Sequence, residues 1–161
     1  MTALTVPLRP YHSADRPWIV RAHRAHYAAS DGFDDSFGET VERVLHAFEA
    51  GDPSRQRSWI AEGAEGPLGC VFLVEGEGGL ARLRLFYAVP RARGTGLERR
   101  MLACLIAAAR DLGYAGVMLG THESHRAAGR LYARAGFTLE FSRPVRSFGV
   151  QMVEQSWRLT F

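Results

Sequence analysis

Lysine is absent from the whole sequence of 161 residues, so arginine is the only strong base in the chain. Nucleotide hydrolases with a phosphate-binding loop need a lysine within the pattern G-x-x-x-x-G-K-[ST], and this class is therefore excluded. The sequence also lacks a run of 18 apolar residues and a basic-then-apolar leader ending in small residues. We therefore expect neither a membrane-spanning helix nor a signal peptide.

Cysteine is almost as scarce as lysine. Cys70 and Cys104 lie inside apolar runs without metal-ligating residues at close spacing, so we expect two buried free thiols and no bound metal. Unpaired thiols are typical of a cytoplasmic protein. The length and the 47% content of hydrophobic residues are those of a globular domain, and we expect one domain over residues 1–161.

The formal net charge is modest, at +3. A nucleic-acid-binding protein would gather its arginines on one stripe, interleaved with aromatic residues. The arginines are instead spread along the chain, and their dense cluster of Arg91, Arg93, Arg99 and Arg100 lies beside a glycine-containing loop. Four charges at such a loop fit a small polyphosphate better than a duplex, so we expect no nucleic-acid partner.

Two helices precede three strands in the first half of the chain. The predicted elements are an edge strand at most within 4–11, a helix from about 15 to 29, a helix from Ser36 or Thr40 to 50, and strands at 59–61, 68–74 and 80–89. Helical spacing places Trp18, Ile19, Ala22, Ala25 and His26 on one face of the first helix.

The second half alternates helices and strands. We predict a helix over 97–112, a strand at 116–120, a helix from about 124 to 136 and closing strands at 137–142 and 156–161, with the Pro144-containing stretch 143–149 as a loop. The strand-helix-strand succession favours a parallel crossover. The expected class is α/β (α+β), with a central mixed, mostly antiparallel sheet.

Residues 83–102 carry the strongest functional signal. An apolar run, a loop with two glycines and two arginines, and an amphipathic helical pattern follow one another there. Gly94 and Gly96 allow the backbone to turn sharply and approach a phosphate, while Arg91 and Arg93 supply permanent charge. A strand, a glycine loop and a helix in this order direct free N–H groups at an anion. The stretch therefore predicts a diphosphate-binding loop.

The kind of loop follows from its spacing. A dinucleotide-binding turn needs G-x-G-x-x-G, but Arg99 stands at the third glycine position. Arg91, Gly94 and Gly96 instead fit Arg-x-x-Gly-x-Gly, which resembles the acetyl-CoA-binding motif of the GNAT acetyltransferase superfamily. Downstream, residues 131–137 read Leu-Tyr-Ala-Arg-Ala-Gly-Phe, as expected in that family.

The resemblance extends over most of residues 16–161. The segments 70–74, 83–87, 147–149 and 155–157 look like the acetyltransferase half of bacterial proteins that fuse it to a winged-helix regulator. No winged-helix segment is present, so the resemblance implies the transferase domain alone. It also implies a GNAT-like sheet of six to seven strands flanked by about four helices.

The resemblance implies that acetyl-CoA binds along the end of the strand and on the glycine loop. The implied cofactor-binding residues are Tyr87, Ala88, Val89, Arg91, Arg93, Gly94, Thr95, Gly96, Leu97, Glu98 and Arg99. Many family members carry glycine at the position of Glu98, and we expect this carboxylate to point outwards. The strand before the loop and the strand ending near Thr121 are expected to splay apart and admit the thioester.

Direct transfer to an amine needs an acid for the thiolate and a base for the amine. Tyr132 matches the family position that commonly protonates the thiolate, although a core aromatic role also fits its place beside Leu131. His122 is the candidate base, with a water relay or a simple helix cap as alternatives.

We therefore predict an acetyl-CoA-dependent N-acetyltransferase that acts on a primary amine of a small molecule or peptide. An alternative is a catalytically silent acyl-CoA sensor of the same fold, which the lack of an obvious base favours. The apolar closing strands make a homodimer a further expectation.

Overall fold

The structure is a computed structural model, which describes residues 5–161. Its elements are β1 (Leu8–Arg9), α1 (Arg16–Asp31), α2 (Ser36–Ala50), β2 (Arg57–Gly63), β3 (Gly66–Glu75), β4 (Ala81–Ala88), α3 (Leu97–Asp111), β5 (Gly116–His122), α4 (Arg126–Arg134), β6 (Thr138–Ser147) and β7 (Val150–Thr160). Short 3₁₀ turns, Ser13–Asp15 and Pro90–Ala92, precede α1 and α3. None of the described helices is long and apolar enough to cross a membrane.

All seven strands form one sheet in the order β1-β2-β3-β4-β5-β7-β6. Only the β4–β5 pair is parallel, and the other described neighbours run antiparallel. The predicted mixed, mostly antiparallel sheet with about four helices is confirmed. Helix α3 makes the predicted crossover between the two parallel strands.

Helices cover both faces of the sheet. Because neighbouring residues of a strand point to opposite faces, Phe72 and Leu73 of β3 enter different apolar clusters. Phe72 packs with Ile19 of α1 and Leu45 of α2. Leu73 belongs to the cluster that includes Leu105 of α3 and residues of α4. The sheet thus separates an α1/α2 side from an α3/α4 side.

The buried face of α1 differs from the predicted one. Ile19, Val20 and His23 are buried, whereas Ala25 is exposed. The prediction of Ala25 on the buried face is wrong because the buried stripe is turned toward His23, whose ring packs 5.2 Å from the Tyr87 ring. Tertiary packing of aromatic rings therefore decides which face of α1 is buried, because the apolar spacing within the helix is only a weak signal.

The predicted loop at 143–149 is also wrong. Strand β6 continues through Pro144, which pairs with Val153 of β7. Proline is tolerated here because β6 is the outermost strand, where a missing backbone donor costs no ladder bond. At the other edge only Leu8–Arg9 of the predicted 4–11 strand pairs, with β2, and Leu4 lies outside the described residues.

Candidate active site

The two parallel strands separate soon after they meet. Their ladder holds only the pairs Ala81–Val117 and Arg82–Met118, although β4 continues to Ala88 and β5 to His122. A register shift between β3 and β4 accompanies Leu85, whose φ is +52°. Such a bulge bends a strand away from its neighbour. The result is a wedge-shaped gap at the end of β4, as the family resemblance implied.

The segment between β4 and α3, residues 89–96, is called the glycine loop below. After the 3₁₀ turn at Pro90–Ala92, the chain passes through Gly94 at φ +73° and Gly96 at φ +92° before α3 begins. Residues with a side chain rarely adopt these backbone angles, whereas glycine does so without strain. A Cβ at Gly94 would meet no heavy atom within 4 Å. The surface there is open, with room for a ligand.

The N–H groups of residues 94–99 have no hydrogen-bond acceptor within the described part of the chain, whereas the next amide, Arg100, donates to the Gly96 carbonyl at 3.0 Å. Unpaired amides at the start of a helix, together with its dipole, form an anion-binding site. These are the donors that a diphosphate requires.

The arginines of the loop are placed differently from one another. Arg91 and Arg93 of the loop and Arg99 of α3 are all exposed. Arg93 alone is seen to fold back toward β4: its Nε donates to the Ala88 carbonyl at 3.0 Å, and its guanidinium lies 5.8 Å from the Tyr87 ring centre. Arg93 therefore braces the end of β4 and contributes positive charge beside the gap.

Glu98 does not point outwards as predicted. Its side chain is half-buried, and burial raises its pKa, an effect that the charge of Arg93 opposes. Its charge also acts on Tyr132. The prediction is wrong because the first turn of α3 packs position 98 partly against the protein.

The end of β4 offers backbone groups to a ligand. The Val89 N–H donates to the Leu68 carbonyl at 2.9 Å, so Val89 faces β3. Because successive strand residues direct their backbone groups to opposite neighbours, Ala88 faces the gap, while the Tyr87 side chain is buried under α1.

The gap between β4 and β5 opens into a cavity of about 510 Å³. Tyr27 of α1 and Phe37 of α2 line it from one face of the sheet, and Ala128 and Tyr132 of α4 line it from the other. A ligand bound on the α3/α4 side can therefore meet a second one that arrives from the α1/α2 side.

The family model of the Acetyltransferase (GNAT) family matches residues 17–137, which include β4, the glycine loop, α3, β5 and α4. This chain belongs to the GNAT acetyltransferase family. The family prediction from the sequence is thereby confirmed, while the narrower resemblance to winged-helix fusion proteins stays a prediction.

Sequence relatives of this GNAT chain match about half of it. The mycothiol acetyltransferase of Thermobispora bispora is 40% identical over 78 residues, which are 48% of this chain and 22% of that protein. An uncharacterised N-acetyltransferase of Mycobacterium bovis is 30% identical over 79 residues, which are 49% of this chain and 51% of that protein. The chain thus spans no more than about half the length of these curated relatives.

Solved structures support the GNAT fold over nearly the whole chain. The yncA protein of Salmonella typhimurium, solved with its cofactor acetyl-CoA, has a TM-score of 0.78 at 20% identity and covers 98% of this chain and 94% of its own. A ribosomal-protein-alanine N-acetyltransferase of Brucella melitensis has a TM-score of 0.75 at 18% identity, with 97% and 100% covered. Identities this low establish the fold alone.

Within this GNAT fold, Tyr132 lines the cavity from the α4 side. Its ring packs between those of Phe137, at 5.7 Å, and Trp157, at 6.3 Å. Burial raises the pKa of its phenol, so the hydroxyl stays protonated across the working pH range. It has no hydrogen-bond partner among the described residues, although it lines the cavity. The hydroxyl is thus a free proton donor.

His122 lies at the end of β5, on the cavity wall. Its Nδ1 is buried without a hydrogen-bond partner in the described structure. Burial, and then the neighbouring His125, lower the pKa of His122. Its imidazole is therefore mainly neutral at neutral pH, in the form that accepts a proton.

A hydrogen-bonded pair that the sequence did not predict stands beside His122. His125 Nε2 lies 2.6 Å from Asp31 Oδ2, and His125 Nδ1 lies 3.4 Å from the Thr121 hydroxyl. Donor atoms of Asp31, His122 and His125 lie within 4.8 Å of one another and offer ligands of the kind that metals use. His125 is already bonded to the Asp31 carboxylate, which is the arrangement of an acid–base pair.

Four further rings were not predicted as a group. Tyr27, Phe33, Phe37 and Phe148, called the aromatic wall below, have ring centres 4.8–5.6 Å apart in successive contacts. The β6–β7 turn brings Phe148 to them, held by the Phe148 carbonyl that accepts from the Asp34 N–H at 2.9 Å. No local sequence signal joins rings so distant along the chain.

Proposed function

We propose that this chain is an acetyl-CoA-dependent N-acetyltransferase that moves the acetyl group directly to a primary amine. The observation that carries the proposal is the junction of two features. The β4–β5 gap opens next to a glycine loop whose amides at residues 94–99 have no acceptor within the described chain. Together they suit a ligand with a diphosphate at one end and an extended arm at the other.

The residues present fit such a cofactor. The amides of residues 94–99 and the dipole of α3 would hold the diphosphate, with Arg91 and Arg99 at its exposed side. The backbone of Ala88 would pair with the extended arm. When bound, acetyl-CoA supplies an acetyl group activated as a thioester.

Two side chains would transfer the protons of the reaction. Tyr132 holds the proton that the departing sulfur takes up, from the α4 side of the gap. His122 accepts the proton that the attacking amine loses, from the α1/α2 side. The His125–Asp31 pair would then keep the charge near His122 balanced, because Asp31 opposes the lowering of the His122 pKa.

Calorimetric titration with acetyl-CoA tests the cofactor assignment. Gly94 precedes α3 with a φ of +73° and Gly113 follows α3 with a φ of +83°, and a Cβ at either would meet no atom within 4 Å. Alanine at either position therefore carries the same backbone strain, about 1–2 kcal/mol. We expect Gly94→Ala to weaken acetyl-CoA binding at least ~10-fold and Gly113→Ala to leave it unchanged.

Two outcomes contradict the assignment. The wild-type chain would show no heat of binding at millimolar acetyl-CoA, or both glycine variants would weaken binding equally. Thermal unfolding of the two variants checks that their stabilities fall alike.

We keep the homodimer as a prediction. Leu139 and Phe141 are exposed on β6, the outermost strand of the sheet, and an apolar edge strand favours pairing. Sedimentation of the wild-type chain and of a Phe141→Lys variant would reveal a dimer that the substitution dissociates.

A further inference from the structure

Two arginines of β4 point into the cavity from the α1/α2 side. Arg84 pairs across the sheet with Phe72, which is buried under α1 and α2, so both side chains lie on that face. Arg82 is two residues away on the same strand and shares the face. Both line the cavity, and both are half-buried.

Neither arginine has a carboxylate partner within the described residues. Other arginines of the fold do: Arg9 pairs with Asp15, and Arg143 pairs with Glu154. Burial, and then the like charge of Arg82, lower the pKa of Arg84 to about 10. Placing two like charges close together and partly away from water costs free energy unless an anion binds between them.

The acids near the two arginines are engaged elsewhere. Glu154 lines the same cavity and is bonded to Arg143. Glu75 and Asp52 line the neighbouring groove under α2, where Glu75 lies 3.8 Å from Arg55 and Asp52 accepts from Ser54. The α1/α2 side of the cavity is thus electropositive at the arginines.

The register of the parallel strands gives the position of these two arginines relative to His122. Arg82 is level with Met118, so Arg84 is level with position 120, two residues short of His122. At roughly 3.3 Å per residue, the two levels are about 7 Å apart along the strands. One small molecule can span this distance with an anion at the arginines and an amine at His122.

We propose that Arg82 and Arg84 form an anion-binding subsite of the acceptor pocket, and that the acceptor is a small amine that also carries a carboxylate. The proposal rests on the proposed N-acetyltransferase function. The planar guanidinium of arginine matches a carboxylate with two parallel hydrogen bonds. Tyr27 and Phe37, which also line the cavity, supply apolar surface for the carbon skeleton between the two charged ends.

Acetylation of matched acceptors tests the subsite. The proteinogenic amino acids and the amines left after removal of their carboxylates are each assayed for thiol release from saturating acetyl-CoA. We expect amino acids to be acetylated with kcat/KM at least ~10-fold above that of their decarboxylated partners. For the best pair, Arg84→Gln should remove this preference through a higher KM for the amino acid and leave the decarboxylated amine unchanged. Arg84→Lys, which keeps the charge without the fork, should lie between.

A control and a binding measurement separate this subsite from a structural role. Arg158 lies on β7 and pairs with Glu140, so Arg158→Gln should change neither acceptor. Acetyl-CoA affinity should be the same in wild type, Arg84→Gln and Arg158→Gln. A structural role for Arg84 would instead lower the melting temperature and slow both acceptors equally.

Several results would overturn the subsite. The subsite is refuted if decarboxylated amines are acetylated as efficiently as amino acids. It is also refuted if Arg84→Gln slows acetylation of both acceptors to the same extent. Either leaves the N-acetyltransferase assignment intact. Preference for the phosphonate analogue of the best amino acid would overturn the carboxylate assignment. No turnover of any amino acid, with acetyl-CoA still bound, overturns the subsite, whereas loss of acetyl-CoA binding by the wild type refutes the proposed function itself.

Discussion

The glycine loop and the aromatic wall are built in opposite ways. The loop is a run of consecutive residues whose shape is set by two glycines with positive φ. The wall combines α1, α2 and the β6–β7 turn, and its neighbours His125 and Asp31 are 94 positions apart. Local backbone chemistry encodes the first, and tertiary packing encodes the second.

This difference has a functional consequence that substitutions can test. A change in the loop should alter affinity for acetyl-CoA and leave affinity for the acceptor unaffected, because in the proposed function the acceptor would arrive from the other face. A change beside the wall should alter turnover or acceptor affinity and leave acetyl-CoA binding intact.

The largest effect is expected at Tyr132, which belongs to neither region and lines the cavity from the α4 side. Tyr132→Phe removes the free hydroxyl without changing the packed ring, so kcat should fall by about 10²–10⁴ while acetyl-CoA affinity is kept. Tyr114→Phe is the matched control, since Tyr114 is also buried but donates to the Arg55 carbonyl at 2.6 Å, outside the cavity. Stopped-flow thiol release and calorimetry measure the two quantities. Full activity of Tyr132→Phe would remove its role as the acid.

A smaller loss, about 10²-fold in kcat, is expected for His122→Gln. Burial lowers the His122 pKa below its ordinary 6.5, and the neutral base is present above that pKa. In the wild type, kcat should therefore rise with pH through a midpoint below 6.5 and then level off. The variant should lose this step. A step that persists in His122→Gln would assign the base to another group.

Sequence patterns predict the glycine loop and the order of the elements well. The conformation at Gly94 and Gly96 follows from the identity of the residues themselves, and the periodicity of α3 follows from its own apolar spacing. The β4–β5 gap was also expected, although only through the resemblance to a known family.

Three features were beyond such reasoning, each for a physical reason. His125 and Asp31 meet only because the end of α1 and the start of α4, which lie on opposite faces of the sheet, reach the same end of it. Pro144 is a strand residue only because β6 is an edge, which depends on the whole sheet order. Glu98 turns inward because of the phase of the first turn of α3.

His23, which lines the cavity near the aromatic wall, provides a test of stability. It is 2% exposed, and burial lowers its pKa to about 4. The unfolded chain takes up the proton near pH 6.5, so the folded state loses stability as the pH falls from 6.5 to 4, by roughly 3 kcal/mol. Urea unfolding at several pH values measures the loss. His23→Leu should flatten this dependence, whereas His46→Gln, at an exposed site, should not.

The smallest effect is expected from Glu98, within the first turn of α3. A carboxylate there repels the diphosphate that the neighbouring amides would hold, so Glu98→Gln should tighten acetyl-CoA binding a few-fold, about 1 kcal/mol or less. Burial raises the Glu98 pKa, so its ionised fraction, and with it the advantage of the variant, should grow as the pH rises.

Glu42→Gln makes the same change of net charge at an exposed site on α2 and should leave the affinity unchanged. Calorimetric titrations of both variants over a range of pH separate local repulsion from overall charge. Weaker binding by Glu98→Gln would reverse the interpretation: the carboxylate would then act through Arg93, as a support that keeps the guanidinium against Ala88, and the glycine loop would depend on a side chain as well as on its backbone.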